Sequence, residues 1–212
     1  MKNIYYYANI FYAEVIKVDR IVAFIGPSMV GKTTVAKRLA MLIGEKSIST
    51  DTLCSMHSYH TDSAEESIEL FDDLRDYVLD NNVKIVDIGA NTIEHCGSAE
   101  LKYLKKSLTI NGNEPVFYYL LPSKSPFRSY DFLSRTAKKI YGENKIIDTS
   151  LKSSLHTFAY VYLNATTIYT LENYKRGLCT KKNTYKTHLE WTVTDTVLND
   201  LLFDKLAEEP AK

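Results

Sequence analysis

The stretch of sequence that decides the fold reads Arg20-Ile-Val-Ala-Phe-Ile-Gly-Pro-Ser-Met-Val-Gly-Lys-Thr33. Its first half is a short apolar run, rich in β-branched residues, that stops at a Gly-Pro pair and predicts a buried strand. From Lys32 onward, apolar residues recur at helical spacing as far as Ile43, and Gly44 is placed to end that helix. The order is therefore a strand, a glycine-containing loop and a helix.

The loop of this unit matches the pattern G-x-x-x-x-G-K-[ST] at every fixed position. In such a loop, backbone N–H groups curl around phosphate oxygens, and the following helix adds the positive end of its dipole. We expect Lys32 to neutralise the β and γ oxygens of ATP and the Thr33 hydroxyl to complete a Mg²⁺ shell. The predicted nucleotide contacts are Gly26, Pro27, Ser28, Met29, Val30, Gly31, Lys32, Thr33 and Thr34.

Two acidic residues follow predicted strands. Asp87 comes after the apolar residues of a strand predicted over 83–89, where a Walker B carboxylate would hold Mg²⁺. Asp51 lies at the end of a short strand predicted over 46–51, so it should face the phosphates. It could orient a water for hydrolysis, accept a proton from a substrate hydroxyl, or simply cap a helix. Gly89 either brings N–H groups towards the γ-phosphate or is a simple turn glycine.

The remaining pattern alternates between strands and helices. Apolar spacing predicts further helices over 63–80, 99–107, 130–141 and 194–208, and further strands over 115–122 and 156–164, the last ending in Asn164. Ser63 and Glu66 are spaced as a capping box. Alternation of this kind implies a mainly parallel sheet with helices on both faces. We therefore expect an α/β P-loop NTPase fold, with residues 1–212 as one domain, 1–19 as an N-terminal extension and 170–190 as a loop insertion.

Composition limits the function classes. The 212 residues fit one globular domain, with 45% hydrophobic and 25% charged residues. Lys plus Arg equals Asp plus Glu at 26 each, so no overall charge draws the chain to nucleic acid or membrane. Cys54, Cys96 and Cys179 lie far apart, which favours a reduced cytoplasmic protein. No apolar run approaches the roughly 20 residues of a membrane span.

Three segments carry a family resemblance: Gly31-Lys-Thr-Thr34, Ser49-Thr-Asp-Thr52 and Val86-Asp-Ile-Gly-Ala-Asn91. In this order and spacing, over roughly residues 21–164, the chain resembles the ParA/MinD-type partition ATPases and more narrowly their plasmid-borne StbB- and TraL-like members. The resemblance implies an ATP-hydrolysing nucleotide switch in plasmid or DNA segregation or transfer. It also implies an ATP-dependent homodimer and a small DNA-binding adaptor protein as partners, and leaves direct contact with nucleic acid open.

The same resemblance implies roles for individual residues. Lys32 and Thr33 would hold phosphate and Mg²⁺, Asp51 would orient the attacking water, and Asp87 would be the Walker B acid. Asn164 would read the adenine. One position departs from the family pattern, because Pro27 stands where the family has a second, signature lysine, and proline carries neither a charge nor an N–H donor.

Two other functions fit the same motifs. A small P-loop kinase would transfer the γ-phosphoryl group of ATP to a small molecule or nucleoside, and Asp51 would then bind the acceptor hydroxyl. Such kinases close an arginine-bearing lid over the phosphates, for which Arg128 and Arg135 are the candidates. A scaffold that binds ATP without hydrolysing it is the third reading, and Pro27 is the reason for keeping it.

Overall fold

One parallel sheet forms the centre of the fold. The computed structural model describes residues 18–60, 62–155, 159–172 and 193–201, and within them five strands pair in a single all-parallel sheet. The strands are β1 (Val22–Ile25), β2 (Lys46–Ser49), β3 (Val83–Asp87), β4 (Val116–Leu121) and β5 (Thr166–Tyr169). Their order across the sheet is β2-β3-β1-β4-β5, which puts β1 at the centre between β3 and β4.

Helices cover both faces of this sheet. They are α1 (Lys32–Ile43), α2 (Thr50–His57), α3 (Ala64–Asn81), α4 (Ala90–Glu94), α5 (Ser98–Ser107), α6 (Pro126–Tyr141), α7 (Lys145–Leu155) and α8 (Ala159–Leu163), and residues 193–201 are also helical. Successive β1 side chains point to opposite faces: Phe24 packs with α1, α6 and α7, whereas Ile25 packs with α3 and α5. Two cores, one on each face, result from this alternation.

These elements confirm the predicted α/β fold, and the sheet, predicted as mainly parallel, is parallel throughout the described residues. The structure contains the first, third and fourth predicted strands. It also contains the helix after the loop and the helices predicted near 64–81, 98–107 and 126–141. Helix α1 ends at Gly44, which adopts the left-handed conformation with φ 72°. Ser63 caps α3 by accepting a hydrogen bond from the Glu66 N–H at 3.2 Å. In a complete capping box Glu66 would accept from the N–H of Ser63. Here it accepts from the N–H of the preceding residue, Asp62, at 2.9 Å.

The second strand is shorter than predicted. It ends at Ser49, and Asp51 lies in the first turn of α2 instead of at a strand end. The Ser49 side chain accepts from the Asp51 N–H at 3.3 Å, which is the local reason that the helix begins there. Asp51 nevertheless stays beside the carboxyl end of β2.

The strand predicted over 156–164 is wrong. Residues Ala159–Leu163 form α8, and β5 follows it at Thr166–Tyr169. A short aromatic and β-branched run does not separate a strand from a helix by periodicity alone. Packing decided the outcome, because Leu163 is buried against α5 while Val161 and Tyr162 are 54% and 43% exposed.

Some predictions lie outside the described residues. They are residues 1–17 of the extension predicted over 1–19 and most of the insertion predicted at 170–190, of which residues 170–172 are helical. The last predicted helix is described over 193–201 only. In the part of the chain that the structure describes, no helix has the length and apolar character needed to cross a membrane.

Candidate functional site

The candidate site lies where three neighbouring strands reach their carboxyl ends. Gly26 follows β1, Asp87 is the last residue of β3, and Asp51 comes two residues after β2. The strand register pairs Asp87 with Phe24 on one side and with Ser49 on the other. Residues far apart in sequence therefore meet at one edge of the sheet, as expected of an open parallel sheet.

The loop between β1 and α1 has a backbone that only certain residues tolerate. Gly26 has φ 135°, and a Cβ built there would lie 2.4 Å from the carbonyl oxygen of Leu120 on β4. Gly31, the residue before α1, has φ 99° and leaves the first turn without a side-chain cap. Met29 adopts φ 63° although it has a side chain. The loop thus presses against β4 and points the uncapped start of α1 towards the cavity.

Lys32 lies inside this loop. Its side chain is 7% exposed, and its Nζ donates to the carbonyl oxygens of Gly26 and Pro27, both at 3.0 Å. Burial lowers the pKa of Lys32, while the negative charges of Asp87 and Asp51 act in the opposite direction. The ammonium group is therefore positioned by the loop and faced by both acids.

Thr33 and Asp87 form the second contact of the site. Thr33 Oγ1 donates to Asp87 Oδ2 at 2.5 Å. Asp87 is 2% exposed, and burial raises its pKa above the ordinary value, against the lowering effect of Lys32. Its other oxygen, Oδ1, is buried and has no hydrogen-bond partner among the described residues. A buried carboxylate oxygen without a donor, next to a hydroxyl, suits Mg²⁺, which takes few protein ligands and completes its shell with phosphate and water.

Asp51 is held against the turn that follows β3. A Cβ built on Gly89 would lie 2.2 Å from Asp51 Oδ1, so any larger residue there would displace this exposed carboxylate from its present position. The Gly89 N–H donates to Thr50 Oγ1 at 2.8 Å, and the hydroxyls of Thr50 and Thr92 lie 3.0 Å apart. The N–H of Gly89 is thus engaged by Thr50, and its φ of −58° needs no glycine. Gly89 leaves room for the close approach of Asp51, a contact that was not predicted from the sequence.

Sequence reasoning missed Thr50 and Thr92. Thr50 is fully buried, although it stands next to an exposed acid in a run of polar residues. Ser67 of α3 extends the network by donating to the Thr92 carbonyl oxygen at 2.9 Å. The available signal was the helix start itself, because Thr50 is the first residue of α2 and directly follows the capping residue Ser49.

A first cavity of about 510 Å³ joins these groups. Its lining from the predicted site comprises Ser28, Met29, Gly31, Lys32, Thr33, Thr34, Asp51 and Asp87. The opposite wall is the face of α6 that carries Phe132 and Ile140. Val30 is 1% exposed and belongs to the core, and Gly26 and Pro27 take part through the carbonyl oxygens that receive Lys32.

Asn164 lies at the other edge of the sheet. It follows α8 with φ 54° and precedes β5, which starts at Thr166 beside Tyr118 of β4. All the strands run parallel, so a residue before β5 lies at the amino ends, away from the loop after β1. The adenine contact implied for Asn164 depended on a strand that ends there, and that strand does not exist.

A second cavity, of about 740 Å³, adjoins the first. The two share Ser28, Met29, Asn91 and Tyr141. The other lining residues come from the segment after α2, from α4 and from α7; they are His60, Asp62, Glu94, His95, Lys145, Ile146, Ile147, Thr149, Ser150 and Leu151. Arg128 and Arg135 line neither cavity, and Arg135 pairs with Asp131 on the surface of α6 at 2.9 Å.

Comparison with known proteins supports the assignment of the fold. The sequence matches no protein-family model and no curated protein. The structure is similar to shikimate kinase from Acinetobacter baumannii in complex with shikimate, with a TM-score of 0.51 at 13% identity over 92% of this chain and 99% of that chain. It is also similar to a gluconokinase from Sinorhizobium meliloti 1021, with a TM-score of 0.53 at 11% identity over 89% and 98%. With its all-parallel sheet and flanking helices, the chain has an α/β P-loop NTPase fold.

Proposed function

We propose that the protein is a small P-loop kinase that transfers the γ-phosphoryl group of ATP to a hydroxyl of a small molecule. The observation that carries this proposal is the second cavity, which opens off the cavity that holds Lys32, Asp51 and Asp87. A switch that hydrolyses ATP needs space only for a water beside the γ-phosphate. A kinase needs a compartment for the acceptor that is joined to the phosphate site, and the second cavity has the position and size for that role.

The first cavity supplies the groups that a nucleoside triphosphate needs. The uncapped start of α1 and the Lys32 ammonium would bind the β- and γ-phosphates. Thr33 Oγ1 and the free Asp87 oxygen would hold Mg²⁺. When bound there, the metal ion would neutralise charge that develops on the phosphate oxygens.

Asp51 is the candidate general base. In the step we propose, the acceptor oxygen forms a bond to the γ-phosphorus, and the bond from that phosphorus to the β,γ-bridging oxygen breaks. ADP leaves with that electron pair, and the hydroxyl proton passes to the Asp51 carboxylate. The Gly89 backbone leaves room for this carboxylate beside the phosphate loop, and Thr50, the residue before Asp51, is joined to Gly89 by the hydrogen bond described above.

The similar structures support the same function. Both are kinases, and the one from Acinetobacter baumannii was determined with shikimate bound. Identities of 13% and 11% leave the acceptor of this chain to be argued from its own residues.

A partition-type ATPase is the second candidate, and the motifs around Asp51 and Asp87 favour it. This reading expects an ATP-dependent homodimer, a small DNA-binding adaptor protein and activity in DNA segregation or transfer. Pro27 weighs against it, because the family's signature lysine is missing from that position.

The test is transfer of labelled phosphate. We expect the protein, incubated with γ-labelled ATP, Mg²⁺ and a small-molecule extract, to move the label into organic phosphates, and the Asp51→Asn variant to lose that transfer. Light scattering with and without ATP provides the second readout. Label released only as inorganic phosphate, together with ATP-dependent dimerisation, would overturn the kinase assignment in favour of the partition type.

A further inference from the structure

Three separate parts of the chain supply the charged and imidazole side chains of the second cavity. His60 and Asp62 come from the segment between α2 and α3, Glu94 and His95 from the end of α4, and Lys145 from the start of α7. All five carry polar or charged groups, and each is exposed or half-buried. The cavity can therefore contact a ligand from several directions with side chains that water already solvates.

Apart from the two histidines, the charged side chains among the described residues that line this cavity are two acids and one base. Asp62 and Glu94 are carboxylates, and Lys145 is the matching base. No arginine is found among its described lining residues, although arginine is the side chain that best recognises carboxylate and phosphate in two-point contacts. An anionic ligand would be repelled by the carboxylates of Asp62 and Glu94, so the cavity disfavours such a ligand.

The hydrogen-bonding groups suit hydroxyls. Carboxylate oxygens accept hydrogen bonds from hydroxyls, and each imidazole of His60 and His95 can donate from one nitrogen and accept at the other. Ser150 Oγ donates to Glu94 Oε2 at 3.1 Å, which fixes the Glu94 carboxylate relative to α7. Thr149 Oγ1 donates to the Lys145 carbonyl oxygen at 3.0 Å and so adds an acceptor, and the amide of Asn91 adds donors and an acceptor.

Apolar groups complete the lining. Met29, Ile146 and Ile147 offer C–H surface next to the polar groups, whereas Leu151, which is 1% exposed, offers almost none. A compact molecule with hydroxyls around a carbon skeleton matches both kinds of surface, since its hydroxyls meet the polar side chains and its C–H groups meet the apolar ones.

We propose that the second cavity binds a neutral, polyhydroxylated acceptor, such as a sugar or polyol, in preference to a carboxylate or a phosphate ester. The proposal rests on the kinase function proposed above. The acceptor hydroxyl enters the first cavity past Asn91, which lines both, and meets Asp51 there. The products are the phosphate monoester of the acceptor and ADP, with the hydroxyl proton passed to Asp51.

Three sets of acceptors test this preference. ADP release is measured with ATP and Mg²⁺ in the presence of neutral compounds (glycerol, ribose, glucose, myo-inositol), of carboxylated ones (gluconate, shikimate) and of AMP. Mass spectrometry identifies the phosphorylated product. We expect the kcat/KM of the neutral set to exceed that of the other two sets by about tenfold or more. The reason is that the carboxylates of the cavity repel a negatively charged acceptor.

The outcomes separate the two proposals. A product formed most efficiently from a carboxylated acceptor or from AMP would overturn the neutral-acceptor proposal and leave the kinase function standing. Absence of organic phosphate in every set, with ADP release unchanged by any acceptor, would overturn the kinase function itself.

A charge change in the cavity tests the same proposal from the protein side. Glu94→Gln should raise the KM of the best neutral acceptor by about tenfold and leave the KM for ATP unchanged, since it weakens a charge-assisted hydrogen bond. Glu94→Lys should shift the preference towards carboxylated acceptors. Asp80→Asn is the matched control, because Asp80 is exposed at the end of α3 and lines neither cavity. Unchanged acceptor kinetics in both Glu94 variants would overturn the assignment.

Discussion

The two adjoining cavities are built in different ways. In the first, Lys32 and Asp87 are buried and Gly89 lies in direct contact with Asp51, so positions are fixed by backbone and by hydrogen bonds. In the second, exposed side chains on short segments line the wall, and Glu94 with Ser150 is the contact that orders it. Under the proposed kinase function, the phosphate chemistry would depend on the fold itself, and the choice of acceptor would depend on side chains that can change without disturbing the core.

The largest effect should come from the most deeply embedded group of the first cavity. Lys32→Ala removes the charge that faces the phosphates, so we expect ATP binding to weaken by at least about a hundredfold in isothermal titration calorimetry. Lys102→Ala, at an exposed position of α5, is the control and should bind ATP normally. Unchanged affinity in Lys32→Ala would break the comparison, because the first cavity would then not be the phosphate site.

The next effect concerns the contact between Gly89 and Asp51. Gly89→Ala places a Cβ 2.2 Å from Asp51 Oδ1 and must displace the carboxylate. We expect kcat to fall by about a hundredfold with little change in ATP affinity, as for a misplaced catalytic group. Gly97→Ala provides a matched control: Gly97 also precedes a helix, and its added Cβ would meet only the flexible end of Glu100, at 3.0 Å. Normal turnover in Gly89→Ala would show that Asp51 need not be held in place.

A smaller effect should follow loss of the Thr50 hydroxyl. Thr50→Val keeps the shape but leaves the Gly89 N–H without its acceptor, which should lower the free energy of unfolding by about 1–3 kcal/mol. Urea denaturation measures this change, and kcat should fall by about tenfold as Asp51 loses support. Thr50→Ser keeps the hydroxyl and should retain most of both properties. Equal behaviour of the two variants would mean that the hydrogen bond contributes nothing.

The smallest effect is a pH dependence of stability. Burial raises the pKa of Asp87 above 3.8, so the folded state holds this proton more tightly than the unfolded chain does. The stability due to the proton is present below 3.8 and is lost as the pH rises through the raised folded-state pKa. Urea titrations at several pH values in this acidic range should therefore show that the free energy of unfolding of the wild type falls as the pH rises. The fall should be smaller in Asp87→Asn. An identical dependence of stability on pH in the variant would show that the pKa of Asp87 is not raised in the folded state.

Local sequence patterns sufficed for the first cavity. The residues from Gly26 to Thr33 are contiguous, and the strand before them and the helix after them have strong patterns, so the position of the loop was predictable. Asp87 follows an apolar strand and was located in the same way. Asp51 was placed near the site, but in a strand, because Ser49 as a helix cap competes with the β-propensity of a short segment.

Long-range geometry decided the rest. The role of Gly89 depends on the side chain of Asp51, which lies 38 residues away in sequence, and no local pattern reports such a contact. Asn164 was misplaced because a five-residue helix, Ala159–Leu163, has the composition of a strand. The second cavity combines α4, α7 and the segment after α2, and none of these carries a motif that marks its partners.

Met29 illustrates a conflict that natural selection faces at this site. Its φ of 63° is left-handed, which costs a residue with a side chain about 1–2 kcal/mol, and glycine would avoid that cost. The Met29 side chain, however, lines both cavities, so a glycine would widen the passage between nucleotide and acceptor. A variant stabilised by glycine at this position would thus be a less discriminating one.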